Sequence, residues 1–300
     1  ALADGSGAYL AGSRASGLYR STDGGRTWTW IDGAESLPRG SGQAIHQLAA
    51  APGQVGALFA ATESGVWTSR DGGKSWRRTT GPAPARSLAV SPDFANDRTL
   101  VAARQISRDG GESWSPLPGQ SADFDWSAVA FSPDYARDRT VFAAFDVPAD
   151  KRNLEEWPLK VSRDGAQSWE SVQAPALRQS GILALTTIVA GSDPLRVFVG
   201  TERGLVASSD AGRTWTAPSN LPSGPVRALS ARALSQPFFT AVILGAGDNG
   251  VFWSTNRGST WTQGPREHKG FRGATLSMDG RSFLLFRVVD LLGFTKVFTP

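Results

Sequence analysis

One octapeptide recurs six times along the 300 residues, and it constrains the fold more than any other feature of the chain. The copies begin at Ser21, Ser69, Ser107, Ser162, Ser208 and Ser254 and end at Trp28, Trp76, Trp114, Trp169, Trp215 and Trp261. Two residues into each copy stand Asp23, Asp71, Asp109, Asp164 and Asp210, with Asn256 in the last. Successive copies are separated by 48, 38, 55, 46 and 46 residues. Self-similarity at such a period is the mark of a repeat architecture, in which each unit buries its faces against its neighbours.

The chemistry of the octapeptide is that of a fastened hairpin turn. An aspartate side chain accepts hydrogen bonds from nearby backbone N–H groups and so holds a tight reversal. The glycines that follow supply positive φ where a side chain would clash. The closing Ser/Thr-Trp pair then starts a strand, with an indole that needs burial. Asn256 keeps an accepting oxygen and should fold alike. No copy offers more than two carboxylates, and the box position itself offers one at most, whereas calcium takes about six to eight oxygens; no metal and no cofactor is expected.

A wider unit surrounds each turn. In the second, Ile45–Ala50 alternates, Ala57–Ala61 and Gly65–Thr68 follow, and Trp76 is expected to open a fourth strand. The order recurs at Ser87–Val90, Thr99–Ala103 and Ser113–Trp114, and at Leu183–Val189, Val197–Gly200, Gly204–Ala207 and Thr214–Thr216. Helical periodicity is nowhere sustained. Four short strands per roughly 45 residues describe the blade of a β-propeller. At the ends, Tyr9–Gly12 and Gly17–Arg20 follow the tail of a first strand at Ala1–Ala3, while Gly273–Met278, Ser282–Val288 and Gly293–Thr299 form three strands without an octapeptide. The expectation is an all-β propeller of four-stranded antiparallel blades, with seven favoured over six. It would be a single domain over residues 1–300, the terminal strands closing it.

The six copies resemble the Asp-box, or bacterial neuraminidase repeat, of pattern S-x-D-x-G-x-T-W. The resemblance extends over residues 1–261. It implies that the box is the turn between the third and fourth strands of a blade and that its role is structural. That role falls to Asp23, Asp71, Asp109, Asp164, Asp210 and Asn256, and to the closing Trp28, Trp76, Trp114, Trp169, Trp215 and Trp261.

Charge and composition narrow the function classes. The 31 basic residues, of which five are lysine, are interspersed with 27 acidic ones, and the densest basic cluster is Lys74 with Arg77 and Arg78. A nucleic-acid protein gathers its cations on one face or in a tail, so no nucleic-acid partner is expected. The longest apolar stretch, Ser282–Phe298, is broken by Arg287, Asp290 and Lys296, which excludes a membrane span. The absence of cysteine excludes a disulfide scaffold, a thiol enzyme and a cysteine zinc site. It also fits an extracytoplasmic location, secreted, periplasmic or surface-associated.

Successive turns of an up-and-down blade alternate between its two ends. The boxes share one end with the first-to-second loops, among them the paired segments Ser91–Thr99 and Ser132–Thr140, where Phe94 and Tyr135 should plug the turn. The other end is expected to carry Arg14, Glu63, Arg104, Glu202, Arg203 and Asp248 from second-to-third turns. Crossovers would add Glu35, Arg39, Arg77, Arg78, Asp123, Asp125, Arg178 and the run Arg266–Lys269. The longest break in the repeat, Asp146–Pro158, lies there as well, and its Trp157 suits either a partner-binding arm or a cap on its own blade.

Two enzyme classes use this repeat. Sialidases, as the resemblance implies, need an arginine triad and a tyrosine nucleophile. Here the three tyrosines are Tyr9 and Tyr19 in first-blade strands and Tyr135 at the box end, and an Arg-Ile-Pro signature is missing. Xyloglucanases place an acidic pair between two such propellers; Asp123 and Asp125 are the candidates, and one propeller supplies half a cleft. His46 and His268 have no G-x-S-x-G elbow near them, and His46 reads as a structural residue at a strand start. The whole is similar to the photosystem II stability and assembly factor family, which implies a protein-binding, arginine-bearing face. Arg14, Arg77, Arg78, Arg104 and Arg203, with Trp157, are the candidate partner-binding residues. The expected function is a non-catalytic binding or scaffolding propeller whose partner is another protein rather than a polysaccharide. Glycoside hydrolysis at the propeller mouth is the alternative.

Overall fold

A computed structural model describes residues 2–3, 9–13, 17–23, 26–31, 44–118, 126–145, 157–178, 180–189, 194–221, 223–233, 241–264, 271–276, 283–287 and 297–298. Among these, the strands form seven antiparallel sheets in chain order. The second shows the unit in full: Ile45–Ala50, Leu58–Thr62, Gly65–Ser69 and Arg77–Arg78 lie side by side in that order. The chain is an all-β propeller of four-stranded antiparallel blades. Six of the sheets carry a box. The seventh, Phe271–Leu276 with Phe283–Arg287 and Val297–Phe298, has none.

The burial pattern follows strand position. Leu58–Thr62 and Gly65–Ser69 are buried at every residue, because both faces of a middle strand are covered. The fourth strands are two-residue exposed pieces, Arg77–Arg78 and Ser115–Pro116 among them. A short, polar edge of this kind offers little template for pairing with another chain. The box tryptophan does not open the fourth strand as expected; it precedes it by one residue, at Trp76 before Arg77 and Trp114 before Ser115. The indoles of Trp76, Trp114 and Trp215 turn back toward the box, where each has a hydrogen-bond acceptor.

The chain divides into two compact units, residues 1–141 with 162–169 and residues 142–161 with 170–300. In the first, Leu10, Leu18, Ile45, Leu58 and Trp76 form one core cluster and Phe59, Val66, Leu88, Phe94 and Leu100 another. In the second, Ile188, Phe198, Leu205, Val226, Ile243 and Phe252 pack together. Each large side chain so buried contributes about 2 kcal/mol of transfer free energy.

The paired loops of the third and fourth sheets close through four-residue helical turns, Phe94–Asp97 and Tyr135–Asp138. Phe94 and Tyr135 are buried beneath them. Asp97 and Asp138 each receive a serine hydroxyl, from Ser91 at 2.7 Å and Ser132 at 2.5 Å, which fastens the loop.

The third sheet departs from the others. Its third strand, Gln105–Ser107, has three residues, against five in Gly17–Ser21, Gly65–Ser69 and Gly250–Ser254. All four strands end on the box serine, so the whole deficit falls at the opposite end. Two residues at about 3.3 Å each leave that turn, Ala103–Arg104, roughly 7 Å short of its counterparts. This shortening underlies much of the 38-residue step seen in the sequence.

Candidate binding face

The box end is closed by its own hydrogen bonds. Asp71 Oδ1 accepts from the Ser69 hydroxyl at 2.8 Å and from the Lys74 and Ser75 amides at 3.0 and 2.9 Å, and Oδ2 accepts from the Ser75 hydroxyl. The same set recurs at Asp23, Asp109, Asp164 and Asp210. The hydroxyls and then the amides of Ser113 and Ser168 hold Asp109 and Asp164 at about 2, well below the ordinary carboxylate range. At Asp71 and Asp210 partial desolvation pushes upward, and the hydroxyls and amides of Ser75 and Thr214, with the Ser69 and Ser208 hydroxyls, together outweigh it, again to about 2. Asn256 reproduces the arrangement without charge: Oδ1 accepts from the Thr260 amide at 2.9 Å and Nδ2 donates to the Thr260 hydroxyl at 2.7 Å. The indole N–H groups of Trp76, Trp114 and Trp215 donate to the carbonyls of Gly73, Gly111 and Gly212. With three donors on Oδ1 and one on Oδ2, as at Asp71, the box is a fastener rather than a reactive group.

The second-to-third turn end has different chemistry. In the first unit, the strand Ile45–Ala50 slips register between Ile45 and Gln47, so His46 stands out of the ladder. A bulge of this kind re-aims its side chain. His46 Nε2 lies 2.9 Å from Glu63 Oε1, in the turn beside it, and Arg86 Nε lies 3.8 Å from the same oxygen. Arg86 is 53% exposed. Arg78 crosses the same turn, its Nε 3.4 Å from the point a Cβ would occupy on Gly65. The Ala103 amide donates to the Ser87 carbonyl at 3.0 Å, which sets Arg104 beside the residue that follows Arg86. Arg78, Arg86 and Arg104 thus border two adjacent turns.

The second unit repeats the device. Register slips between Val226 and Ala228, and the displaced Arg227 grips Asp248 with both ends of its fork, at 3.0 and 2.9 Å. These hydrogen bonds raise the guanidinium pKa against partial burial, with Glu202 adding a smaller attraction. A third slip, between Ile182 and Ala184, displaces Leu183, which has no polar group to offer. There Glu202 turns to the backbone instead and accepts from the Gly181 amide at 3.2 Å.

Of the residues singled out from the sequence, Arg78 and Arg104 lie at this end as expected, and Arg203 occupies the turn after Glu202, its carbonyl accepting from Gly224. Arg77 does not. It reaches the other way, 2.7 Å from Glu112 in the next box, and Arg70 shares that carboxylate at 3.2 Å. Arg77 and Arg78 are neighbours on a two-residue strand and point to opposite ends, so the pair cannot act as one patch. Trp157 is half-buried, with the Arg178 guanidinium 5.2 Å above its ring. Arg14, Asp123, Asp125, Glu35, Arg39, His268 and residues 146–156 lie outside the described residues. Sequence reasoning missed Arg86 and Arg227, and it read His46 as structural without its acidic partner. The available signal was an acid at the same turn position in three units, Glu63, Glu202 and Asp248.

A family model of the BNR/Asp-box repeat matches residues 105–116, the third box with its flanking strands. No curated protein sequence matches the chain. Among solved structures, an ancestral GH74 enzyme superposes with a TM-score of 0.66 at 20% identity, over 88% of this chain and 37% of that one. The GH74 xyloglucanase from Xanthomonas campestris gives 0.65 at 19%, over 93% and 48%. The extracellular domain of a one-component system from B. thetaiotaomicron gives 0.67 at 12%, over 95% and 36%. The chain spans between a third and a half of the length of these proteins. At such identities the likeness shows the propeller fold alone. Among the described residues, no helix is long and apolar enough to cross a membrane.

Proposed function

We propose that this chain is a non-catalytic binding propeller, a protein–protein interaction module of an extracytoplasmic complex. The observation that supports it is the condition of the described carboxylates at the second-to-third turn end. Glu63 is engaged by His46 and Arg86, Asp248 is clasped by Arg227, and Glu202 caps a backbone amide. Glycoside hydrolysis needs one carboxyl that holds a proton and one that faces the sugar ring. Carboxylates whose oxygens are already engaged by guanidinium, imidazole or amide groups serve better as walls of a recognition surface. Turns from several repeats meeting at one end of a rigid scaffold are also where repeat proteins place binding residues. The cysteine-free composition and the extracellular neighbour support the location. Asp123 and Asp125 keep the xyloglucanase-like reading as the competitor, since that fold is among the neighbours.

The test pairs two assays on one preparation. Native complexes containing the chain are purified, the co-purifying protein is identified, and the complex is rebuilt from the two purified components. In parallel the chain is incubated with xyloglucan and with fluorogenic sialosides and glucosides. A reconstituted complex with no hydrolysis is the expected result. Turnover that disappears in Asp123→Asn or Asp125→Asn would overturn the reading.

A further inference from the structure

Two independent features coincide in the first unit. The third sheet stops roughly 7 Å short at Ala103–Arg104, as deduced from its three-residue strands. Arg104 stands in that turn, Arg86 precedes the Ser87 that bonds to it, and Arg78 crosses the adjacent turn of the second sheet; Arg78 and Arg86 are exposed. The carboxylate among them, Glu63, is already shared by His46 and Arg86. Among the described residues, the drop in the sheet's rim is thus flanked by three guanidiniums and one carboxylate.

We propose that this step is a docking site for an extended, acidic segment of a partner protein. The inference rests on the binding reading above and specifies its chemistry. Depth selects the occupant: about 7 Å admits one extended chain, whose neighbours in a sheet lie about 4.8 Å away, while a helix with side chains needs about 10 Å or more. Charge selects the sequence. Guanidinium groups present forked donors that match carboxylates in geometry, and they are weakly hydrated enough to give up water at an interface. Arginines on two adjacent turns suit a segment with acidic side chains at alternate positions, since those of an extended segment repeat every two residues on one face. Ala103, at φ +47, holds the turn in a left-handed conformation that costs a non-glycine residue about 1 kcal/mol or more.

The experiment uses a fluorescein-labelled decaglutamate peptide as probe, read by anisotropy at 0.05 and 0.15 M NaCl with the intact chain. Three proteins are compared: the wild type, the rim variant Arg78→Glu/Arg86→Glu/Arg104→Glu, and the box-end variant Arg70→Glu/Arg77→Glu. Equal thermal midpoints establish that the variants fold; if the triple variant does not, Arg78→Gln/Arg86→Gln takes its place. The expected result is at least a tenfold loss of affinity in the rim variant and less than twofold in the box-end variant. Equal losses in both, or no saturable binding by the wild type, would overturn the proposal. Displacement of the peptide by polygalacturonate at lower concentration than by unlabelled decaglutamate would assign the step to an acidic polysaccharide and overturn it as well. The rim variant also separates this inference from the broader one. If it still reconstitutes the purified complex, the module binds elsewhere; if the wild type reconstitutes none, the binding reading itself falls.

Discussion

The backbone of Gly212 lies flat against the ring of Phe142: a Cβ on Gly212 would stand 2.9 Å from Phe142 Cε1. Phe142 belongs to the second strand of the fourth sheet and Gly212 to the box of the fifth, so the contact joins consecutive repeats. The arrangement recurs. Gly73 meets Leu10, Gly111 meets Phe59 and Gly258 meets Phe198, each time on a second strand of the preceding sheet. The fourth box carries the buried Ala166 at this position, and the corresponding second-strand residue of the preceding sheet is the smaller Val101. The two positions trade volume.

Gly212→Ala is therefore expected to destabilise the protein by about 2–4 kcal/mol, from left-handed strain at φ +83 and from overpacking. Combining it with Phe142→Val, which reproduces the Ala166–Val101 pairing, should cost less than the sum of the two single changes. Urea unfolding of the four proteins measures the coupling. Additivity within 0.5 kcal/mol, the usual limit for independent sites, would show that the two residues do not compete for space.

The box carboxylates predict acid sensitivity with a definite sign. Asp71, Asp109, Asp164 and Asp210 sit at about 2 in the folded chain against 3.8 unfolded. Lowered folded values mean that the unfolded chain binds protons first, so their contribution is complete above about pH 5 and is lost as pH falls toward 2. The thermal midpoint should drop across that window. Asp109→Asn, copying Asn256, should show a shallower drop while remaining folded at pH 7, and Asp109→Ala should be the less stable of the two at pH 7. Parallel pH profiles for wild type and Asp109→Asn would refute the assignment.

Tyr135 carries a hydroxyl that is fully buried and has no hydrogen-bond partner among the described residues, whereas its counterpart in the third sheet is Phe94. An orphaned buried hydroxyl costs about 1–3 kcal/mol. Tyr135→Phe keeps the ring, its edge contact with Phe131 at 4.7 Å and the Arg139 guanidinium above it. It should raise stability by about 1 kcal/mol in chemical denaturation. A loss of that size instead would reveal a partner for the hydroxyl.

Asp248→Ala removes the forked partner of Arg227 and strands a guanidinium that is 27% exposed. Because solvent reaches both groups, the cost should be about 1 kcal/mol at 0.05 M NaCl and smaller at 0.5 M. Thermal unfolding at the two salt concentrations reads the difference. A cost that does not change with salt would mean that Asp248 acts through the backbone, where its amide meets the Pro225 carbonyl.

Legibility in the sequence tracks how local each interaction is. The boxes could be read because Asp71 is satisfied within four residues, and a short pattern carries all of that chemistry. The 38-residue step was equally visible, but a length deficit can fall in any loop, and only strand register assigns it to Gln105–Ser107. Arg77 and Arg78 looked like one cluster because sequence proximity hides the divergence of side chains along a strand. The bulges at His46 and Arg227 left no trace in composition. A one-residue slip depends on the partner strand, and the partners here lie 17 and 21 residues away in the chain, so no local motif encodes it.

The serine that opens every described box has a kinetic consequence. From the second box on, its hydroxyl donates to the Asp or Asn two residues on and accepts an amide four residues on, as Ser69 does with Asp71 and Gly73. A loop that small closes with little loss of chain entropy and on the fast timescale of turn formation. Sheet-to-sheet contacts such as Phe142 with Gly212 must wait for far larger closures. Each box can therefore order its own hairpin before any neighbour is in place, and a chain shortened by one repeat should lose the interfaces at the cut while the remaining hairpins still form.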